Sequence, residues 1–229
     1  MKRNRSPRGK LAVFYMCIVV LLCPALQGFA QRQPDGLAEI VTAYQDVLLG
    51  RRTYVRSDDP IGGEAYFSTP PMEWYGFPLD AKYTFTRFAL CDIDADGSPE
   101  LILDLTDSEG YTFGYELLRY ENGTVYGFGF TLRSMQAITL EGDIATSSGA
   151  GDNGWYTLQF SADQVEYRET CRMQSTNGYA QYFIGDAEVS DTDYQSFTET
   201  LLAKPGPVWL AFTPENVDYV VSQCRADTE

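Results

Sequence analysis

The residues with the clearest chemistry lie in one short run, Cys91-Asp92-Ile93-Asp94-Ala95-Asp96-Gly97-Ser98-Pro99-Glu100-Leu101. Counting from Asp92, carboxylates stand at positions 1, 3, 5 and 9, with a glycine at position 6. A hard divalent cation such as calcium takes roughly six to eight oxygen ligands. Alternate acidic residues in a curled loop supply them, and Gly97 permits the sharp turn. The spacing assigns the side chains of Asp92, Asp94, Asp96 and Glu100 and the main-chain carbonyl of Ser98 as calcium donors, with water completing the shell. Ile93 is expected to point the other way, into a core. The bland alternative is an acidic turn that binds nothing. Against it stands the mutual repulsion of four carboxylates, which a cation relieves.

Other chemistries are excluded or weaker. The 229 residues include no histidine, which removes Ser-His-Asp and Cys-His nucleophile systems, imidazole zinc sites and a histidine general base. Glycoside hydrolysis needs only two carboxylates at the right separation. Glu64, Glu73, Asp80, Asp107, Glu109 and Asp152 are candidates, but nothing in the spacing sets any two across one cleft, and solvated surface charge accounts for each. Ser-Lys chemistry has only Lys82 and Lys204 to draw on beyond residue 30. No Gly-rich phosphate loop and no internal repeat are present. With 17 Lys+Arg against 32 Asp+Glu, the net charge of −15 disfavours nucleic acid as a partner.

The elements that must position the loop follow from periodicity. Leu37, Ile40, Val41, Tyr44, Val47 and Leu48 recur at helical spacing, so an amphipathic helix is expected up to about Gly50. Residues 57–80 break every regular pattern with Pro60, Gly62-Gly63, Pro70-Pro71 and Pro78 while carrying Tyr66, Phe67, Trp74, Tyr75 and Phe77. They read as a long aromatic loop, either a binding lip or a lid over the core. Strand patterns then run over 83–91, 100–105, 113–120, 125–132, 136–140, 155–160, 164–170 and 179–184. Asn122-Gly123 is the clearest hairpin turn among them; with Thr124 it also fits a glycosylation acceptor. The stretch Ser147–Tyr156, rich in glycine and carrying Trp155, is expected to be a second loop. With the long loop it could form a surface for an extracellular carbohydrate or peptide ligand. A helix is expected over Asp191–Leu202, capped by Ser190 or Asp191, and a short last one opens at Pro214. Helix, strand run, helices predicts an α+β domain with an antiparallel meandering β-sheet, an N-terminal helix and two C-terminal helices.

Residues 1–30 have the pattern of a secretory signal peptide: Lys2, Arg3, Arg5, Arg8 and Lys10, an apolar run from Leu11 to Leu22, then Gly28-Phe29-Ala30. Cleavage after Ala30 would make 31–229 a single secreted domain with no membrane span. It would remove five basic and no acidic residues, taking the net charge from −15 to −20. An uncleaved anchor is disfavoured because the apolar run falls short of the roughly 20 residues a span needs. Lipidation of Cys23 is disfavoured by the bulky Leu22 before it. Beyond the signal remain Cys91, Cys171 and Cys224. This odd number leaves at least one thiol unpaired, and spacing does not settle whether two of them bridge. Nothing in the sequence fixes an oligomeric state.

The acidic loop is not a regular EF-hand: Leu103 stands where that loop places a bidentate Glu, Pro99 lacks an N–H, and strands flank both sides. Its ninth-position acid resembles the shorter calcium loops of FG-GAP and VCBS-type propeller repeats, although here there is one copy. The whole chain resembles secreted bacterial proteins of the Gram-positive type that pair an N-terminal helix with one Asp-x-Asp-x-Asp-Gly-x-Pro-Glu-Leu loop. The matching segments are 43–48, 88–103, 115–123 and 182–190. The resemblance implies an extracytoplasmic domain with a calcium site and implies no enzyme.

Overall fold

The computed structural model describes residues 36–57, 64–67, 83–161, 163–176 and 178–226. The signal-peptide reading of 1–30 and the aromatic residues Trp74, Tyr75 and Phe77 lie outside them. The order is α1 (Leu37–Leu48), β1 (Thr53–Arg56), β2 (Glu64–Tyr66), β3 (Tyr83–Cys91), β4 (Glu100–Asp107), β5 (Thr112–Glu121) and β6 (Thr124–Thr131). Then come β7 (Ala137–Ile138), β8 (Ile144–Gly149), β9 (Asp152–Ser161), β10 (Gln164–Thr176), β11 (Tyr179–Ile184), β12 (Ala187–Val189), α2 (Asp191–Leu202), β13 (Leu210–Ala211) and α3 (Pro214–Ala226). The fold is α+β and mostly antiparallel, with one N-terminal and two C-terminal helices.

The expected single meander is divided into two sheets. Among the described residues, one sheet has seven strands in the order β13-β3-β4-β5-β6-β1-β2, and the other has six in the order β12-β11-β10-β9-β8-β7. β1 joins β6 in parallel; it is short and has no alternating pattern, so periodicity does not reveal it. The β5–β6 hairpin turns at Asn122 (φ 49°) and Gly123 (φ 83°), the left-handed pair that Asn-Gly tolerates best.

Each side of the seven-stranded sheet buries a different partner, as a period of two residues requires. Ile102, Leu117, Phe128 and Phe130 meet Ile144, Tyr156 and Leu158 of the second sheet in one core. The alternate residues Leu101, Leu103 and Leu118 are equally buried on the other side, and α1 packs against α3, β5 and β6. The helical pattern of α1 is the buried set Leu37, Ile40, Val41, Tyr44, Val47 and Leu48. Ser190 caps α2, accepting from Asp193 N–H at 3.1 Å.

Two expectations are corrected here. Ser147–Tyr156 is mainly the ends of two strands, β8 and β9, rather than a loop. Trp155, 5% exposed, packs with Cys171, Tyr194 and Leu201, so its indole serves the core under α2. Cys91, Cys171 and Cys224 are buried, with no disulfide among them. Among the described residues no helix is long and apolar enough to cross a membrane.

Candidate metal centre

The acidic loop is the connection of the β3–β4 hairpin, closed by the facing pair Cys91 and Glu100. Left-handed backbone at Ala95 (φ 59°) and Gly97 (φ 94°) curls it. Gly97 was expected from its type; Ala95 was not, because alanine carries a steric cost of roughly 1–2 kcal/mol there. Backbone N–H groups inside the curl orient the acids. Gly97 N–H donates to Asp92 Oδ2 at 3.0 Å, Ser98 N–H to Asp96 Oδ1 at 2.7 Å, Asp96 N–H to Asp94 Oδ1 at 3.3 Å and Ile93 N–H to Glu100 Oε2 at 2.8 Å. Ile93 is buried in the core between the sheets, as its position predicts. From α1, the Tyr44 hydroxyl donates to Pro99 C=O at 2.9 Å and accepts from Tyr120 N–H at 2.9 Å. The helix thereby holds the loop against β5.

Carboxylate oxygens of Asp92, Asp94 and Glu100 lie within 4.8 Å of one another. Asp96, more exposed, stands outside that triad, and Ser98 follows it in the curl. One oxygen in the group has no donor: Asp92 Oδ1 is buried and makes no hydrogen bond. An ionised oxygen in that position is costly unless a cation or donor meets it. The donor set is all oxygen and suits a hard cation.

Sequence reasoning missed the cation that faces the loop. Arg119, on β5, reaches Asp94 Oδ2 at 3.0 Å and Glu100 Oε1 at 2.8 Å through Nη1, and Asp96 Oδ2 at 2.8 Å through Nη2. Its guanidinium carbon lies 5.1 Å from the Phe160 ring centroid, so the second sheet covers it. The fork geometry of arginine allows three acids to be held at once. It touches a single oxygen of each, and it does not touch Asp92. Burial works against the charge of Arg119, but the hydrogen bond with Asp96 and the fields of Glu100 and Asp94 outweigh it and raise its pKa. A lone arginine at the polar end of an apolar strand carries no sign of this role in sequence, because its partners lie about twenty residues earlier.

Burial raises the pKa values of Asp92, Asp94 and Glu100, Glu100 most of all, with the charge of Asp94 adding to the effect on Glu100. The adjoining Cys91 thiol is pushed up to about 12, mainly by burial and then by Glu100; it is inert at neutral pH. Raised acid pKa values mean that the folded chain keeps protons the unfolded chain has released. The chelated protein should therefore lose stability as pH climbs from about 4, the ordinary carboxylate value, through the raised folded values, and should regain it on acidification. Melting temperature in chelator is expected to rise from pH 7 to pH 5, with Glu100→Gln flattening the slope. A wild-type slope of the opposite sign, or one unchanged in Glu100→Gln, refutes the assignment.

Of the carboxylates weighed for hydrolysis, those whose side chains are described have a hydrogen-bond partner or lie on the surface. Asp107 accepts from Glu109 and Tyr111 N–H, both at 2.9 Å, and so caps a turn. Asp152 pairs with the Ser148 hydroxyl, and Glu109 is exposed. The side chains of Glu64, Glu73 and Asp80 lie outside the described residues. Compared with models of protein families, with curated proteins and with solved structures, the chain matches none.

Proposed function

We propose that the chain is an exported, non-catalytic domain that binds one calcium ion in the β3–β4 loop, through Asp92, Asp94, Asp96, Glu100 and the Ser98 carbonyl. The supporting observation is Asp92 Oδ1: buried, without a donor, and grouped with the Asp94 and Glu100 carboxylates. Arg119 is assigned the outer-shell role, holding one oxygen each of Asp94, Asp96 and Glu100 and so fixing how their carboxylates face. The ion's role is structural. It offsets the repulsion that remains when one guanidinium meets three of the four loop carboxylates, and it ties β3 to β4 by mass action at millimolar extracellular concentrations. Export rests on the signal-like pattern of residues 1–30.

The test is thermal unfolding with excess chelator and then with millimolar calcium, with magnesium as the control for general screening. A calcium-specific rise is expected, and Asp94→Ala combined with Asp96→Ala should abolish it. No rise in the wild type makes the loop an ordinary acidic turn; an undiminished rise in the double variant moves the site elsewhere.

A further inference from the structure

The second sheet carries a groove that the calcium reading does not use. One side of this sheet lies under α2, where Tyr194 and Leu201 pack on Trp155 and Cys171. Its other side meets the first sheet at Ile144, Tyr156 and Leu158. Further along that side, strand register sets Asp152 beside Gln174 and Gln181, and Gly154 beside Arg172 and Phe183. Planar polar groups dominate it. The Arg172 guanidinium stacks 3.9 Å from the Phe183 ring centroid, and Gln174 Nε2 donates to Gln181 Oε1 at 3.3 Å. Where the two zones meet, β10 shifts register between Glu169 and Cys171, and a cavity of roughly 340 Å³ opens over Gly154.

The chemistry of this cavity is specific enough to name a class of occupant. Tyr167 lines it and is 54% exposed, although its ring is braced by Tyr156 at 5.0 Å and Phe130 at 6.3 Å. Beside it stand Glu169 and Arg172, paired with each other and partly exposed, and the exposed Asp152. A braced aromatic ring next to a carboxylate and a guanidinium suits a sugar: the ring receives its C–H face and the charged groups take its hydroxyls. Strand addition of a peptide needs an open strand edge, whereas this cavity lies over the face of paired strands. The net charge of −15 disfavours a polyanion. We infer that this groove binds a neutral glycan, with Tyr167 under one sugar ring and Glu169, Arg172 and Asp152 engaging its hydroxyls.

Electrophoresis of the full chain through gels containing soluble β-glucan, xylan or galactomannan, with dextran sulfate as the anionic probe, tests this. At least one neutral polymer should retard the wild type. Tyr167→Ala should weaken that affinity by about tenfold or more, the scale of removing an aromatic anchor. Tyr179→Ala, which removes an exposed tyrosine outside the groove, should leave it unchanged, with folding checked by circular dichroism. Glu169→Gln gives a second readout should Tyr167→Ala unfold. Retardation by no neutral polymer, by dextran sulfate alone, or equally in wild type and both groove variants overturns the inference. So does retardation abolished by chelator, which would place the ligand on the ion; retardation that survives chelator supports the groove whether or not the loop binds calcium.

Discussion

Arg119→Met is expected to lower the stability of the chelated protein by about 3–5 kcal/mol, the usual penalty for leaving buried charge uncompensated. At roughly 2–4 °C per kcal/mol for a chain of this size, the melting temperature should fall by about 6–20 °C. The reason is the number of acids that depend on one side chain. Asp94, Asp96 and Glu100 each give one oxygen to the guanidinium, and Glu100 is fully buried. Methionine keeps an unbranched apolar stem but removes every one of those contacts, together with the guanidinium that lies over Phe160. Arg119→Lys should recover little, because an ammonium is a point charge and cannot span the set. Calcium then adds a second readout. An ion that neutralises the same carboxylates should raise the melting temperature more in Arg119→Met than in the wild type, because acids no longer facing a guanidinium attract a cation more strongly and the stabilisation grows with that affinity. A chelated variant that melts with the wild type would show that the guanidinium does not carry these acids.

How much of this was legible in the sequence depends on the range of the interaction. The curl of the loop, the inward Ile93, the Ser190 cap and the Asn122-Gly123 hairpin all follow from neighbours a few residues apart, and the structure has them where periodicity and turn chemistry place them. Division of the strands into two sheets was not legible, because both sheets are hairpin runs and the break falls in an ordinary turn after β6. Trp155 misled for a related reason: glycines around an aromatic residue look like a loop, yet Gly154 serves strand pairing. A Cβ there would stand 2.5 Å from the Cys171 carbonyl oxygen. Arg119 and Tyr44 were hidden by distance. Tyr44 reads as one more apolar position of α1, and nothing local reveals that its hydroxyl bridges Pro99 and Tyr120.

The second large effect comes from the opposite flank of the loop. Gly142 has φ +83°, and a Cβ built on it would lie 2.0 Å from the Ile93 carbonyl oxygen and 2.8 Å from its carbon. Neither backbone is positioned to yield. The Gly142 turn is fixed by Thr139 N–H to Asp143 C=O at 2.9 Å, by the Thr139 hydroxyl to Asp143 Oδ2 at 3.1 Å, and by Lys204 Nζ to the same oxygen at 2.7 Å. Ile93 is fixed by Glu100 and by its own burial. Gly142→Ala therefore combines left-handed strain of roughly 1–2 kcal/mol with an overpacking cost of about 1–3 kcal/mol. Gly110→Ala supplies the control, since Gly110 has φ +89° with nothing within 4 Å of a built Cβ; it should show the strain alone. Urea unfolding of the two variants isolates the contact as their difference. Because Ile93 lies between Asp92 and Asp94, displacing it should also shrink the calcium-dependent rise in Gly142→Ala and spare it in Gly110→Ala. Equal losses in the two variants would mean that the turn moves freely and that the second sheet does not brace the loop.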